Sequence, residues 1–380
     1  MVLGETTELR LRTLRSPEEI EGIAPGWDAL VASARRPSPF QLNTWVAAWM
    51  REFGEQFEPC ITVATRGESI AGIAPFVVRR GGHVRPAHFV GGHESSLADL
   101  LLAPGEPIET AQKLLEPLAE SGASALNAYG VPGDSVLARA AGDRLKVIPR
   151  VGSPVLEMPD GWPAAYERHA SKDRRSKERR SERRLGELGS LEITEATDGP
   201  AIGEALDTAF EIHRARWEGR PDGSSFGRPE RQPFMRETLM RLGDQGRYAI
   251  CLMRLDGRGV AFASWFRIGT TVYGHRTAFD PEFARYGPAK IAQRHAIAAA
   301  SESGAVRVEF LGDAEEYKRQ MADRLDPMHQ CVGLATGLVG QMYVARVIGT
   351  IEARKRLKKI DSLHRLYRSG GMGGRGERAA

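Results

Sequence analysis

The residues whose types and spacing could do chemistry crowd between Thr271 and Lys318. His275, Asp280 and Glu309 can each take a proton from a nucleophile. Gly287-Pro288 opens a helix whose first turn carries Ala289 and Lys290, with Arg285 just before it. A helix start sets free backbone N–H groups beside the positive end of the helix dipole, which suits a phosphate. A base beside an anion site could serve a ligand that carries a phosphate. The plainer alternatives are a capped helix and a solvated strand carboxylate.

The flanking elements follow from the same stretch. Thr271 to Ala278 alternates and is β-rich, so a strand is expected. Asp280-Pro281 ends it, and a polar loop leads to Gly287, expected as an N-cap with extended backbone. Pro288 costs nothing at the first helical position, because its missing N–H would have no partner anyway. The helix should stop at Gly304, and Val306 to Leu311 forms a short strand. Strand, helix and strand make a βαβ unit, with His275 and Glu309 on the strands beside the helix.

This order occurs twice. Pro59 to Val78 and Ala249 to Ile268 both read as hairpins, with turns at Arg66-Gly67-Glu68 and Asp256-Gly257-Arg258-Gly259. A strand at Ala98–Leu102, a helix at Pro107–Glu120 and a strand at Ala123–Gly130 then mirror the later unit. Two tandem copies are expected, over 1–158 and 159–335, with Gly152–Asp160 as linker and 336–380 as a basic C-terminal helix and disordered tail. The copies differ: Ala103-Pro104-Gly105-Glu106-Pro107 puts an acid, not a base, at its helix start. An open anion cleft is therefore expected at Gly287 and none at Gly105.

Other segments carry weaker signals. Trp45 and Trp49 share a helix face, which reads as core before it reads as substrate lining. Arg168 to Arg184 holds nine Lys/Arg and three Asp/Glu, on a helix expected over Ala164–Leu188. Either it is a solvated face or it binds an anion, as a polymer or tRNA backbone would offer. His213 lies on an apolar face with Leu206, Phe210 and Trp217, the usual place of a core histidine. Glu218–Arg231 is rich in Gly, Pro and Ser and is a candidate lid. Gln341–Arg368 reads as a long basic helix.

Composition narrows the class. The chain has 380 residues, 41% hydrophobic, 27% charged and net +4, values of a soluble globular protein of two domains. Cys60, Cys251 and Cys331 are scattered, which argues against zinc and for a reducing, cytoplasmic setting, peripheral to the inner membrane face at most. The start MVLGETTELR has no apolar leader pattern and no apolar run is long enough to span a bilayer. There is no HExxH, GxSxG or GxxxxGK[ST]. Oligomeric state is not readable.

Four segments in this order carry a resemblance. They are Pro39-Phe40-Gln41 with Trp45 and Trp49; Lys172-Asp173-Arg174-Arg175 leading to Arg183-Arg184-Leu185; Leu206 to Trp217 with His213, Arg216 and Trp217; and Tyr286-Gly287-Pro288-Ala289 with Val308-Glu309-Phe310-Leu311-Gly312-Asp313 and Tyr317-Lys318. Together they resemble GNAT-superfamily acyltransferases of the CelD type, relatives of the Fem peptidyltransferases. The resemblance implies an α/β (α+β) fold of two tandem GNAT-like units, each a mixed twisted sheet flanked by helices. It implies acyl-CoA, such as acetyl-CoA, as co-substrate without a metal, and N-acylation of an amine, such as an amino sugar or polysaccharide precursor. Its pyrophosphate loop corresponds to Ala284-Arg285-Tyr286-Gly287-Pro288-Ala289. Arg285, Gly287, Ala289 and Lys290 become cofactor contacts; His213, Arg216, Trp217 and Lys318 become substrate contacts. His275, Glu309 and Asp280 are candidate bases, and Tyr317 the candidate acid for the leaving thiolate. A Fem-like transfer from aminoacyl-tRNA and a non-catalytic anion-binding role remain open beside it.

Overall fold

The structure is a computed structural model that describes residues 8–217, 226, 228–312 and 314–370. Thirteen strands form one mixed sheet. The first half contributes β1 (Leu9–Leu14), β2 (Phe57–Arg66), β3 (Ser69–Arg79), β4 (Pro86–Phe89), β5 (Leu101–Leu102), β6 (Ala125–Pro132) and β7 (Leu145–Glu157). The second contributes β8 (Leu191–Ala196), β9 (Tyr248–Leu255), β10 (Arg258–Ile268), β11 (Thr271–Phe279), β12 (Arg307–Glu309) and β13 (Arg324–Gly333). The order across the sheet is β1-β2-β3-β4-β6-β13-β7-β12-β11-β10-β9-β8, with β5 beside β3.

Both hairpins are present, but the first-half unit is corrected: the strand parallel to β6 is β4 and not the expected Ala98–Leu102, of which only Leu101–Leu102 is a strand, antiparallel to β3. β4 runs parallel to β6, and β11 parallel to β12. The halves then exchange strands at the seam: β13, from the C-terminal side, lies against β6, while β7 lies between β13 and β12. The expected linker at Gly152–Asp160 is thus corrected, since residues 152–157 belong to β7. Its prolines are tolerated for a local reason. Pro149 and Pro154 flank the register shift between Asp326 and Met328 on β13, and the Pro154 carbonyl still accepts from Phe310 N at 3.0 Å. Pro75 is accommodated similarly: on one side of β3, β5 pairs Gly72 and Ile73 while β4 pairs Phe76 to Val78, so its missing N–H falls between the two partners.

The helices are α1 (Pro17–Glu21), α2 (Ala24–Ser33), α3 (Asn43–Phe53), α4 (Ile108–Leu114), α5 (Glu116–Glu120), α6 (Val136–Ala141), α7 (Gly161–His169), α8 (Lys172–Gly186), α9 (Gly199–Trp217), α10 (Gln232–Asp244), α11 (Pro288–Glu302), α12 (Glu316–Arg319) and α13 (Gly337–Gly370). Two expected helices are each broken in two. Pro117 starts α5 afresh, and between α7 and α8 Ala170 is extended while the Ser171 hydroxyl accepts from Arg174 N at 3.2 Å. The lid residues 218–225 and 227, Asp313 and the tail 371–380 lie outside the described residues.

One face of the sheet carries a core shared by both halves. Trp45, Trp49 and Phe53 of α3 join Leu206 and Phe210 of α9, Phe234 of α10 and Phe266 and Tyr273 of the second sheet half. Trp45 and Trp49 are therefore core residues, and Trp45 packs edge-on to Phe234 and Phe266. The opposite face carries two separate cores, one under α4 to α6 and one under α7, α8 and α11.

Candidate functional site

The parallel pair β11–β12 holds for three residue pairs, ending at Tyr273↔Glu309. Gly274 lets the strands close up there, because a Cβ would stand 3.1 Å from the Phe310 carbonyl oxygen, a tight approach. Beyond it the chain turns away through Leu311 and Gly312, both at positive φ (53° and 62°). A non-glycine residue in this region is strained. The Lys318 ammonium restrains the turn by donating to the Leu311 carbonyl at 3.1 Å, and pairs with Glu315 at 3.1 Å. Lys318 is thus engaged with its own loop. The fork encloses about 30 Å³, lined by Ser264, Gly274, Thr277, Gln293 and Phe310 among others. That admits a water but not a thioester arm, so a ligand there requires β11, β12 or α11 to part.

Gly287 adopts φ 59°, ψ 44°, the left-handed region, and not the extended backbone expected of it. This follows from its double position, closing the 3₁₀ turn Pro281–Tyr286 and opening α11. The turn consumes donors. Gly287 N bonds Ala284 O and Lys290 N bonds Gly287 O, each at 3.0 Å, and Pro288 has none. The expectation of free N–H groups on both Ala289 and Lys290 is corrected to Ala289 alone. Cationic side chains must then carry most of any anion binding here. Arg285 and Lys290 are exposed, and no atom lies within 4 Å of where a Gly287 Cβ would sit.

The basic helix α8 lies over this turn. The Ser181 hydroxyl donates to the Tyr286 carbonyl at 2.6 Å. Two of the three acids of α8 face inward: Glu182 binds Arg294 and, at 2.8 Å, His295, while Glu178 accepts from Arg174 at 3.0 Å and from Tyr166. The hydrogen bond from His295 and the Arg294 guanidinium hold the Glu182 carboxyl below its usual range. Lys177, Arg179, Arg180, Arg183 and Arg184 face outward. Among the described residues, no carboxylate is paired with Arg179, Arg180 or Arg184, and Arg183 reaches Glu187 at 3.6 Å.

The other catalytic candidates divide between the two faces. Asp280 caps the 3₁₀ turn, accepting from Glu282 N at 3.0 Å, and pairs with Arg258 at 2.5 Å. Glu309, 1% exposed, is bound by Arg36 and lies 3.9 Å from Arg307, which also reaches Asp326 at 2.9 Å. Two guanidiniums suit Glu309 to anchoring the halves together more than to taking a proton. Tyr317 lines a crevice with Lys290, Gln293 and Arg294 on the α11 side. Burial and the nearby Glu315 push its phenol up, so it holds its proton.

His275 occupies the α9 side, in a β-bulge. Ser264 of β10 opposes Arg276 and Trp265 opposes Gly274, which leaves His275 as the extra residue. Its ring packs on Phe266 (4.7 Å), Tyr248 (5.6 Å), Phe226 (5.7 Å) and Trp45 (6.5 Å). Its Nδ1 is 2.9 Å from the Tyr248 hydroxyl. Burial, with help from Arg276, holds His275 well below its usual pKa and His213 near 4. His213 is 3% exposed and stacks near Trp217, while Arg216 lies over Phe279 at 4.7 Å. Sequence reading missed Tyr248, Ser264 and Arg276. Nothing in spacing reveals a bulge, which arises only when two strands pair out of step.

The first half also has a cavity, against expectation. About 320 Å³ runs past Gly105, lined by Arg35, Arg36, Arg139, Asp99, Asp134 and Glu106 among others. Several of its charges are engaged: Arg35 pairs Asp134 at 2.8 Å, Glu106 pairs Arg66 at 2.9 Å, and Asp99 accepts from the first turn of α6.

Among the described residues, no helix is long and apolar enough to cross a membrane, and no cluster of His, Cys, Asp and Glu is placed to hold a metal ion. Residues 172–319 match the family described as Acetyltransferase (GNAT) domain. No curated protein matches the sequence. Among solved structures the chain resembles FemX, with 13% identity, TM-score 0.59 and coverage of 84% of this chain and 96% of that one. It also resembles the C-terminal domain (DUF2156) of a putative lysylphosphatidylglycerol synthetase from Agrobacterium fabrum, with 12% identity, TM-score 0.56 and coverage of 87% and 97%. A conserved protein of unknown function from Bacteroides thetaiotaomicron gives 12% identity, TM-score 0.56 and coverage of 86% and 100%. At such identities the likeness is one of fold: a large mixed sheet flanked by helices.

Proposed function

We propose, from the premise that residues 172–319 are a GNAT acetyltransferase domain, that the chain transfers an acyl group from acyl-CoA to an amine. The observation that carries this reading is the forked pair β11–β12 beside a helix start with open space at Gly287 and an outward basic face on α8. Bound there, acyl-CoA would supply an activated thioester carbon. Arg285, Lys290 and the α8 arginines are the groups that would hold its phosphates, and Ala289 N–H the one backbone donor.

The chain's own residues divide the remaining work. His275 stays neutral and fixed by Tyr248, so it orients the acceptor amine by a hydrogen bond and does not store a proton. An amine nucleophile loses its proton to water or to a weak base once attack has begun. Tyr317, on the other side of the fork, is the candidate donor to the departing thiolate. The two halves fit as a cofactor-binding second unit, 159–335, and a first unit, 1–158, that walls the acceptor side with Trp45 and the turn at Gly92–Glu94. The CelD-type resemblance adds an amino sugar or envelope precursor as acceptor class.

A Fem-like transfer from aminoacyl-tRNA is the second reading, favoured by the same exposed arginines on α8. Thiol release from acetyl-CoA on adding an amine, with calorimetric CoA binding, tests the first. Tight tRNA binding without CoA binding would establish the second instead.

A further inference from the structure

Arg276 is the residue that the proposed reaction leaves unexplained. It follows His275 in the bulge of β11, and the Ser264 hydroxyl meets its backbone N–H and carbonyl at 3.3 and 3.2 Å. Its guanidinium has no such partner. Among the described residues it makes no side-chain hydrogen bond and no ion pair within 4.0 Å, and its Nε is buried without an acceptor. Most arginines near the fork are paired: Arg36 and Arg307 with Glu309, and Arg294 with Glu182. Arg276 as a whole is only half-buried, but a buried donor left without an acceptor is costly, and a fold keeps one where something else completes it.

A second orphan donor stands nearby. Trp45 is fully buried, its Nε1–H has no acceptor, and its ring is 6.5 Å from that of His275. A Cβ on Gly91 would lie 3.4 Å from that nitrogen, so the indole nitrogen borders the loop where the turn Gly92–Glu94 begins. Trp45 comes from the first half and Arg276 from the second. Trp45 packs on the His275 ring, and Arg276, the next residue along β11, is within electrostatic reach of His275 and Tyr248.

We propose that Arg276, with Trp45, receives a carboxylate of the acceptor, so that the acceptor is an amine that also bears a carboxylate. This rests on the acyl-transfer reading of the same site. The charge balance favours a monoanion. Glu94 is within electrostatic reach of Arg276, and His213 and His275 are both held neutral by burial. The site thus lacks the surplus positive charge that a phosphate dianion would need. A guanidinium fork also matches the two oxygens of a carboxylate in one plane.

The test uses the full chain and two probes that differ only in the carboxylate, 4-aminobutyrate and n-butylamine. Thermal unfolding is followed at matched ionic strength without acetyl-CoA, then thiol release with it. The inference expects 4-aminobutyrate to raise the Tm of wild type but not of Arg276→Gln. It expects a preference of at least about tenfold in kcat/KM for 4-aminobutyrate, lost in Arg276→Gln mainly through KM. Arg276→Gln alone should leave the Tm close to that of wild type, because it removes no side-chain hydrogen bond or close ion pair seen among the described residues. A marked fall in its Tm would make Arg276 structural and overturn the proposal. Equal response to both probes, or a stronger response to glucosamine 6-phosphate than to 4-aminobutyrate, would overturn it as well. A carboxylate response in a protein that binds no CoA would leave the carboxylate site standing and remove the acyl-transfer reading.

Discussion

The hydroxyl of Tyr248 stands 2.9 Å from Nδ1 of His275, inside a ring of aromatic side chains. Burial drives the phenol up and the imidazole well down, so both partners are neutral around pH 7. A neutral imidazole cannot act by titrating near neutrality. Thiol release at saturating acetyl-CoA should therefore follow the free-base fraction of the acceptor amine, with no enzyme inflection between about pH 6 and 8. Tyr248→Phe should lower stability by about 1 kcal/mol and reduce kcat, because the ring loses its only hydrogen-bonded anchor among the described residues. A clear break near pH 6.5 that disappears in His275→Gln would show that the imidazole is the base after all.

His213 makes a separate prediction about stability. Its folded pKa is near 4, below the ordinary 6.5. The unfolded state therefore binds the extra proton first as pH falls. Stability from this group is complete above pH 6.5, declines as pH drops toward 4, and levels below that. The loss is on the order of 3 kcal/mol at most. Denaturant melts from pH 7.5 to 4.5 should show a shallower decline in His213→Gln than in wild type.

Helix α8 separates its charges by face, so its variants should separate too. Arg179→Glu with Arg180→Glu should weaken CoA binding and leave Tm nearly unchanged, since exposed substitutions usually cost within about 0.5 kcal/mol. Glu182→Gln should do the reverse, because it releases Arg294 and His295. Calorimetry and thermal melts on the two variants check both halves of the statement.

The strand exchange predicts how the molecule unfolds. With β13 against β6 and β7 against β12, neither half keeps its sheet intact alone. The chain should melt in a single cooperative transition, and a fragment 1–158 should fail to give a cooperative melt. Two resolved calorimetric transitions would contradict this.

Much of this fold is legible in the sequence because local chemistry dictates it. Gly287-Pro288 starts a helix, Asp280-Pro281 ends a strand, and the paired hairpins announce themselves by alternation and turn residues. The strand β7 is not legible, because Pro149, Gly152 and Pro154 look like linker until β13 and β12 flank them. At the site, the basic turn of Arg285 and Lys290 and the neighbourhood of His275 can be read from residue type. The ion pairs of Asp280 and Glu309 with Arg258 and Arg36, and the hydrogen bond from Lys318 to the Leu311 carbonyl, cannot, because tertiary packing fixes those partners. The bulge that brings Arg276 forward is invisible for the same reason.

The most direct measurement is a calorimetric titration of CoA into wild type, Gly287→Ala and Gly287→Val at low and high salt. Gly287 lies at φ 59°, so alanine there should cost about 1–2 kcal/mol of stability, and valine more. Both should lose far more in CoA affinity than in stability, because a side chain would enter the open space above the turn. Wild-type affinity should fall with salt, as binding through exposed cations requires. Saturable, salt-sensitive binding by wild type that collapses in Gly287→Val is the predicted result. No CoA binding by wild type, or equal binding by all three proteins, would contradict the assignment of this turn as the acyl-CoA site.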